Sequence, residues 1–274
     1  MSVGILGGSG FYELGDASTT ITVETPFGPP SAPVTVASIG GADVAFLPRH
    51  GTGHTIPPHR INVRANLWAL HSLGVRRLFS PCAVGSLRPD RQPGDMVVLD
   101  QLVDRTWGRP DTYFDGPDLH HSMFADPYCP VLRGVAVRAA MAESFTVHDG
   151  GTVVVINGPR FSTRAESRWF RSQGWDVINM TQYPEAALAR ELGMCFAGLG
   201  LVTDYDTGAG PEGDGEPVTM EAVFAILADN VERVRGVLAR TIESLGGAGS
   251  ARDCGCAAAG GAARPGLSPR PDSP

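Results

Sequence analysis

A chain of 274 residues, 42% of them apolar, is long enough to bury the core of one large α/β domain and too hydrophobic to stay disordered. A formal net charge of -7 with no basic run argues against a nucleic-acid partner, because affinity for a phosphate backbone comes from clustered cations. Lysine is absent, which excludes a phosphate-loop lysine, a Schiff-base lysine and a lysine general base, and with them pyridoxal enzymes and Walker-type nucleotidases.

The opening MSVGILGGSGF has no cationic stretch, and no later segment approaches the ~20 apolar residues of a membrane span. The expectation is a cytoplasmic protein with no membrane partner. Residues 3–6 read as a strand entering the turn Gly7-Gly8-Ser9-Gly10, where backbone amides approach a ligand closely. A dinucleotide fingerprint begun at Gly8 needs glycine at position 13, where Glu13 stands. Strands are predicted at 20–24, 34–38 and 44–47, between Pro and Gly clusters. The last of these runs into Pro48-Arg49-His50-Gly51, with His54 and His59 beyond. That histidine spacing matches no common zinc pattern, so no metal is expected, and arginine and histidine beside glycine suit an oxyanion. A helix over 62–73 ends at Gly74, and a strand over 77–81 leads to a small-residue loop, Cys82-Ala83-Val84-Gly85-Ser86.

A strand at 96–99 precedes a long aperiodic stretch, 107–130, of the kind that forms functional loops, and His121 within it faces either a site or solvent. A helix over 131–143 and a strand over 152–156 lead to Phe161-Ser162 and a helix over 163–173. The chain is organised around 177–206, a βαβ unit. Its helix spans 182–192, with the Thr181 hydroxyl as N-cap and Pro184 in the first turn, and its second strand, 194–202, turns acidic at Asp204 and Asp206. Free amides at 179–181 offer an anion seat, and ligands of open α/β sheets bind beyond strand ends. An ordinary N-cap and a solvated turn are the bland alternatives. Thr219 caps a last helix over 220–245. One domain, 1–245, is therefore expected, followed by a disordered Gly/Ala/Pro-rich tail, 246–274. The five cysteines are odd in number and scattered, which fits a reducing compartment. With no second cysteine pair in view, Cys254-Gly-Cys256 reads as a mobile surface thiol pair, a redox or metal pair being the alternative.

The segments GILGGSGF (4–11), TPFGPPS (25–31), PRHG (48–51), GPRFSTRAES (158–167), VINMT (177–181), PEAALARE (184–191) and TDYD (203–206), in one order, resemble the purine nucleoside phosphorylase superfamily and within it the 5'-methylthioadenosine phosphorylase branch. The resemblance covers about residues 1–245. It implies an α/β fold, a single domain with a central mixed β-sheet flanked by helices, assembled as a homotrimer, which attacks C1' of a purine nucleoside with inorganic phosphate and uses no cofactor. Carried over residue by residue, Ser9, Arg49, His50, Ala83 and Thr181 match the phosphate positions. Beside Ala83, Cys82 stands where relatives often have threonine, which removes a hydroxyl donor. Met180 matches the ribose contact, Phe161 and Ser162 the base, Asp204 the acid at N7 and Asp206 the partner of a 6-amino group. His121, Met220 and Val223 match the 5'-alkylthio pocket, part of which comes from a neighbouring subunit. A carboxylate at 204 suits a 6-aminopurine, and methylthioinosine, adenosine or a 5'-halogenated adenosine remain alternative substrates.

Overall fold

β-Branched and small apolar runs become strands buried on both faces, and the amphipathic segments become helices laid over them. The computed structural model describes residues 1–8, 17–39, 41–117, 119–207, 210, 217–246 and 254–260. In chain order the strands are β1 (Val3–Gly7), β2 (Ala17–Ile21), β3 (Val34–Ile39), β4 (Ala42–Pro48), β5 (Arg77–Ser86), β6 (Met96–Val98), β7 (Gln101–Arg105), β8 (Val147–Asp149), β9 (Thr152–Ile156), β10 (Val177–Asn179) and β11 (Cys195–Tyr205). The helices are α1 (Val63–Ser72), α2 (Pro130–Ala142), α3 (Arg164–Ser172), α4 (Gln182–Glu191), α5 (Met220–Gly246) and α6 (Cys256–Ala259).

All strands join one mixed sheet, in the order β2-β3-β4-β1-β5-β10-β9-β7, with β11, β6 and β8 branching from β5. β1 lies parallel to β4 and β5, and β5 parallel to β11, while β10 runs antiparallel to β5. One face is covered by α2 and α5, whose Leu132, Ala136, Leu227, Val234 and Leu238 pack on Ile5, Phe79 and Leu199. The other is covered by α1 and α4, through Leu67, Leu70, Ala186 and Leu188 against Leu6, Leu78 and Phe196. The mixed sheet flanked by helices is the architecture expected. Among the described residues no helix is long and apolar enough to cross a membrane.

Four features depart from the sequence reading. The segment Cys82–Ser86 is not a loop but the second half of β5, because it pairs on both sides: Cys82 opposite Gly200 of β11, and Gly85 opposite Ile178 of β10. Strands β7 and β8 were not expected. They are short or polar and lie at sheet edges, where no apolar alternation is needed. β11 continues past Val202 through Tyr205, with a register shift between Val202 and Asp204; Asp204 is in the sheet and Asp206, just past it, is tied to it by its amide bond to the Ser86 carbonyl, so the acids are not in a free turn. Finally, residues 254–260 of the expected tail are folded. Cys256 is 3% exposed, α6 packs on α4, and the Met123 amide donates to the Ala259 carbonyl at 3.2 Å. A mobile surface thiol pair is thus the wrong reading of Cys254 and Cys256.

Candidate active site

The antiparallel pairing of β10 with β5 sets Val177 opposite Ser86 and Ile178 opposite Gly85, so the site has a strand for its floor. Above that floor opens a cavity of ≈ 410 Å³. It gathers Arg49, His50, Cys82, Ala83 and Thr181 with Phe161, Ser162, Met180, Asp204 and Asp206, and Met220 and Val223 from the start of α5 close it. Two expected residues are not among them. His121 is exposed on the 106–129 segment, and Ser9 lies outside the described residues.

Arg49 follows β4 and is 0% exposed. Its Nε donates to Glu185 Oε1 at 2.7 Å, Nη2 to the Leu6 carbonyl, Ser80 Oγ and Glu185 Oε2, and Nη1 to the Pro81 carbonyl at 3.0 Å. A guanidinium has five N–H donors, so among the described residues one Nη1 hydrogen has no acceptor and is open to a ligand. Arg49 therefore offers an anion a single prong, because Glu185 occupies the other edge. Gly8 makes this burial possible, since a side chain there would collide with Arg49 Nη1 and the Pro81 carbonyl. Burial pushes the Glu185 carboxyl up, and Arg49 opposes that push without cancelling it.

His50 Nδ1 donates to the Ile56 carbonyl at 2.9 Å, which leaves Nε2 as an acceptor. Burial first, and the Arg49 charge second, push its pKa down to about 3, so the ring is neutral and can accept the hydrogen of a protonated phosphate oxygen. Cys82 receives Gln182 Nε2 at 3.5 Å, and burial pushes its thiol up to about 12, so it stays protonated.

The cap of α4 differs from expectation. Thr181 sits at the N-cap, but its hydroxyl makes no capping bond; Asn179 Oδ1 instead accepts the amides of Thr181 and Gln182, both at 3.3 Å. Tyr183, with φ of -116° and ψ of 132°, breaks the helix after its first residue, and Pro184 after it has no amide hydrogen, so neither offers the Thr181 hydroxyl a helical N–H. Those two amides are spent, and the Thr181 hydroxyl, bonded only by Asn179 Nδ2 at 3.4 Å, is the group offered to an anion.

At the opposite end, burial pushes the Asp204 carboxyl up to about 6, against a Thr203 hydroxyl that donates to Oδ1 at 2.6 Å. Asp206 adds a smaller upward push by its charge. Asp206 is itself 2% exposed and pushed up by burial. The hydroxyls of Ser162 and Ser167 oppose that shift from nearby without a direct bond, and among the described residues the buried Asp206 Oδ2 has no hydrogen-bond partner. An unpartnered carboxylate oxygen in a cavity is built to receive a donor from a ligand.

The sequence reading missed Glu185, Gln182, Asn179 and Arg109. Arg109, in the aperiodic stretch, donates to both Asn157 Oδ1 and its carbonyl and to the Met180 and Tyr183 carbonyls, stapling the ends of β9 and β10 together. The available signal was a bulky cation in a loop otherwise rich in Asp and Pro. Among the described residues, the cluster of potential metal ligands is four cysteines, none of which lines the cavity.

One end of the cavity thus offers hydroxyl, guanidinium and imidazole to an oxyanion. The other offers two carboxyls, one of them half-protonated at about pH 6 and still protonated in roughly a tenth of molecules at neutral pH, which equips it to donate a proton to a departing nitrogen base. The sequence model of the phosphorylase superfamily matches residues 2–243. The chain is 53% identical to a purine nucleoside phosphorylase of Streptomyces coelicolor over 97% of this chain and 96% of the relative. It is 56% identical to an S-methyl-5'-thioadenosine phosphorylase of Mycolicibacterium smegmatis over 89% and 92%. Among solved structures, a methylthioadenosine phosphorylase from Schistosoma mansoni in complex with adenine superposes with a TM-score of 0.85 at 39% identity, covering 90% of this chain and 92% of that one.

Proposed function

Because the chain belongs to the phosphorylase superfamily, we propose that it cleaves the N-glycosidic bond of 5'-methylthioadenosine with inorganic phosphate, releasing adenine and 5-methylthioribose 1-phosphate. The observation that carries this reading is the pair of buried acids, Asp204 at about 6 and Asp206 with an unpartnered oxygen, at the base end of the cavity. A phosphate oxygen, held by the free Arg49 hydrogen, Thr181 and His50, forms a bond to C1' as the bond from C1' to N9 breaks. The electron pair enters the purine, and Asp204 gives its proton to N7, so that neutral adenine leaves. Asp206 accepts a hydrogen of the 6-amino group. A 6-oxo group would set oxygen against oxygen there, which disfavours inosine analogues. Phe161 lies along the base and Met180 beside the ribose. Met220 and Val223, apolar and at the far wall, suit a methylthio group. No cofactor takes part.

The protein acts as a cytoplasmic homotrimer in this reading. Leu119 and Met123 are 80% and 66% exposed, a flank of apolar surface around His121 that a neighbouring subunit would cover while receiving that histidine at the 5' end of its cavity. The relative named as a purine nucleoside phosphorylase keeps adenosine open as a second substrate. The test is base release from 5'-methylthioadenosine, its inosine analogue and adenosine, each with and without phosphate. Phosphate-dependent adenine release, fastest with the methylthio substrate, is expected. Faster release from the inosine analogue would overturn the roles of Asp204 and Asp206, and equal rates with adenosine would overturn the methylthio assignment.

A further inference from the structure

Four of the five cysteines, the ones outside the active site, converge. Cys129 is the residue before α2, Cys195 opens β11, Cys254 lies two residues ahead of α6 and Cys256 is its first residue, yet their Sγ atoms all lie within 4.8 Å of one another. Cys129, Cys195 and Cys256 are 0%, 1% and 3% exposed, and Cys254 is partly buried. Two of them stand on backbone that cannot drift, because the Cys129 amide donates to the Phe196 carbonyl and the Cys195 amide to the Arg76 carbonyl, both at 2.8 Å.

A tetrahedron of sulfurs at ~2.3 Å from a central zinc has edges of about 3.8 Å. Cys195 and Cys254 are 3.4 Å apart, and every other pair falls inside 4.8 Å, so small side-chain adjustments complete that shape. Each sulfur is a neighbour of all three others, which is the arrangement of a ligand shell. Soft thiolates in such a shell select zinc over harder divalent ions. Four thiolates on a divalent cation leave a net charge of -2, and a counter-charge is in place. Arg190 is 6% exposed, bonds the Asp126 carbonyl through Nη2, has a buried Nε with no partner among the described residues, and acts electrostatically on Cys256.

A four-residue helix such as α6 cannot hold itself, since nucleating a helix is unfavourable and so short a one never recovers the cost. Besides its packing on α4 and the Met123 to Ala259 hydrogen bond, the sulfur cluster at its start is the anchor available to it. We propose that Cys129, Cys195, Cys254 and Cys256 form a tetrathiolate site for zinc, which ties the C-terminal segment to the starts of α2 and β11. Each thiol gives up its proton to solvent as its sulfur binds the ion, and no electron changes hands.

The experiment uses the full chain, purified with reductant, incubated with zinc and dialysed, then analysed for metal by mass spectrometry and for free thiols with Ellman's reagent. One zinc per chain is expected, with Cys82 too buried to report in the folded protein. Cobalt(II) in place of zinc should give the intense visible bands of a tetrahedral thiolate site. A strong chelator should lower the melting temperature of the wild type and leave the Cys254→Ser/Cys256→Ser variant unmoved. Cys254→Ser alone, at the least buried ligand, provides a milder variant that should weaken zinc binding at least tenfold with phosphorolysis retained. Protein without stoichiometric metal overturns the proposal, whether its four thiols titrate as free or its intact mass is lower by four hydrogens, the mark of two disulfides.

Discussion

Replacing Asp204 by asparagine removes a proton donor and a buried charge while keeping the shape of the side chain. Burial raises the folded-state pKa from 3.8 to about 6, so between those values the native state binds more protons than the unfolded chain and stability falls as pH rises. Above about pH 6 the whole cost is in place. At ~1.4 kcal/mol per tenfold it comes to about 3 kcal/mol, an upper figure because a carboxyl at a cavity wall keeps some hydration. Asp204→Asn should therefore gain up to about 3 kcal/mol in urea denaturation at neutral pH, and nothing once the pH is below 3.8. Catalysis moves the other way. With a pKa of about 6, roughly a tenth of the free enzyme carries the Asp204 proton at neutral pH, against fewer than about one molecule in a thousand for an ordinary aspartate. The variant should lose about 10²–10³ in kcat with little change in KM. The ratio of wild-type to variant kcat/KM is the quantity to follow, because the ionisation of phosphate is common to both and cancels. That ratio should be flat below about pH 6 and fall about tenfold per pH unit above it. A ratio with no bend, or an unchanged kcat, refutes the acid role; a variant less stable than wild type at neutral pH refutes the burial cost.

Other perturbations probe the remaining parts of the site. A methyl group at position 85 would sit 3.0 Å from Asp204 Oδ2 and 3.1 Å from Ile178 Cγ2, so Gly85→Ala should displace the acid by tenths of an ångström and lower kcat about tenfold, with the melting curve nearly unmoved. Glu185→Gln leaves Arg49 buried without its counter-charge and should cost about 3 kcal/mol in chemical denaturation; a loss below about 1 kcal/mol would mean that the pair contributes little. Cys82→Thr restores a hydroxyl beside the phosphate end and should lower the KM for phosphate about fivefold, worth about 1 kcal/mol, while the KM for the nucleoside stays put. Equal phosphate KM values would remove position 82 from the anion site.

What the sequence determined is local. The strand at 152–156 appears with those bounds, the other main strands and helices lie within a few residues of theirs, and Thr219 Oγ1 does accept the Ala222 amide at the start of α5. Periodicity, caps and Gly/Pro punctuation act within a few residues of one another, so a single chain displays them in full. The order of its motifs likewise carried the family. Placement across the sheet was not written in any such window. Whether Cys82–Ser86 is loop or strand depends on β11, more than a hundred residues later, and the same pairing sets Asp204 against Gly85. Arg49 looked like a free anion ligand until Glu185, 136 residues away, took one edge of its guanidinium. Asn179 displaced Thr181 as the cap because Tyr183 leaves the helix, and two lone cysteines joined a Cys-Gly-Cys judged mobile. Hydrogen bonds, ion pairs and ligand shells are satisfied by whichever group arrives in space, and only the folded sheet decides which group that is.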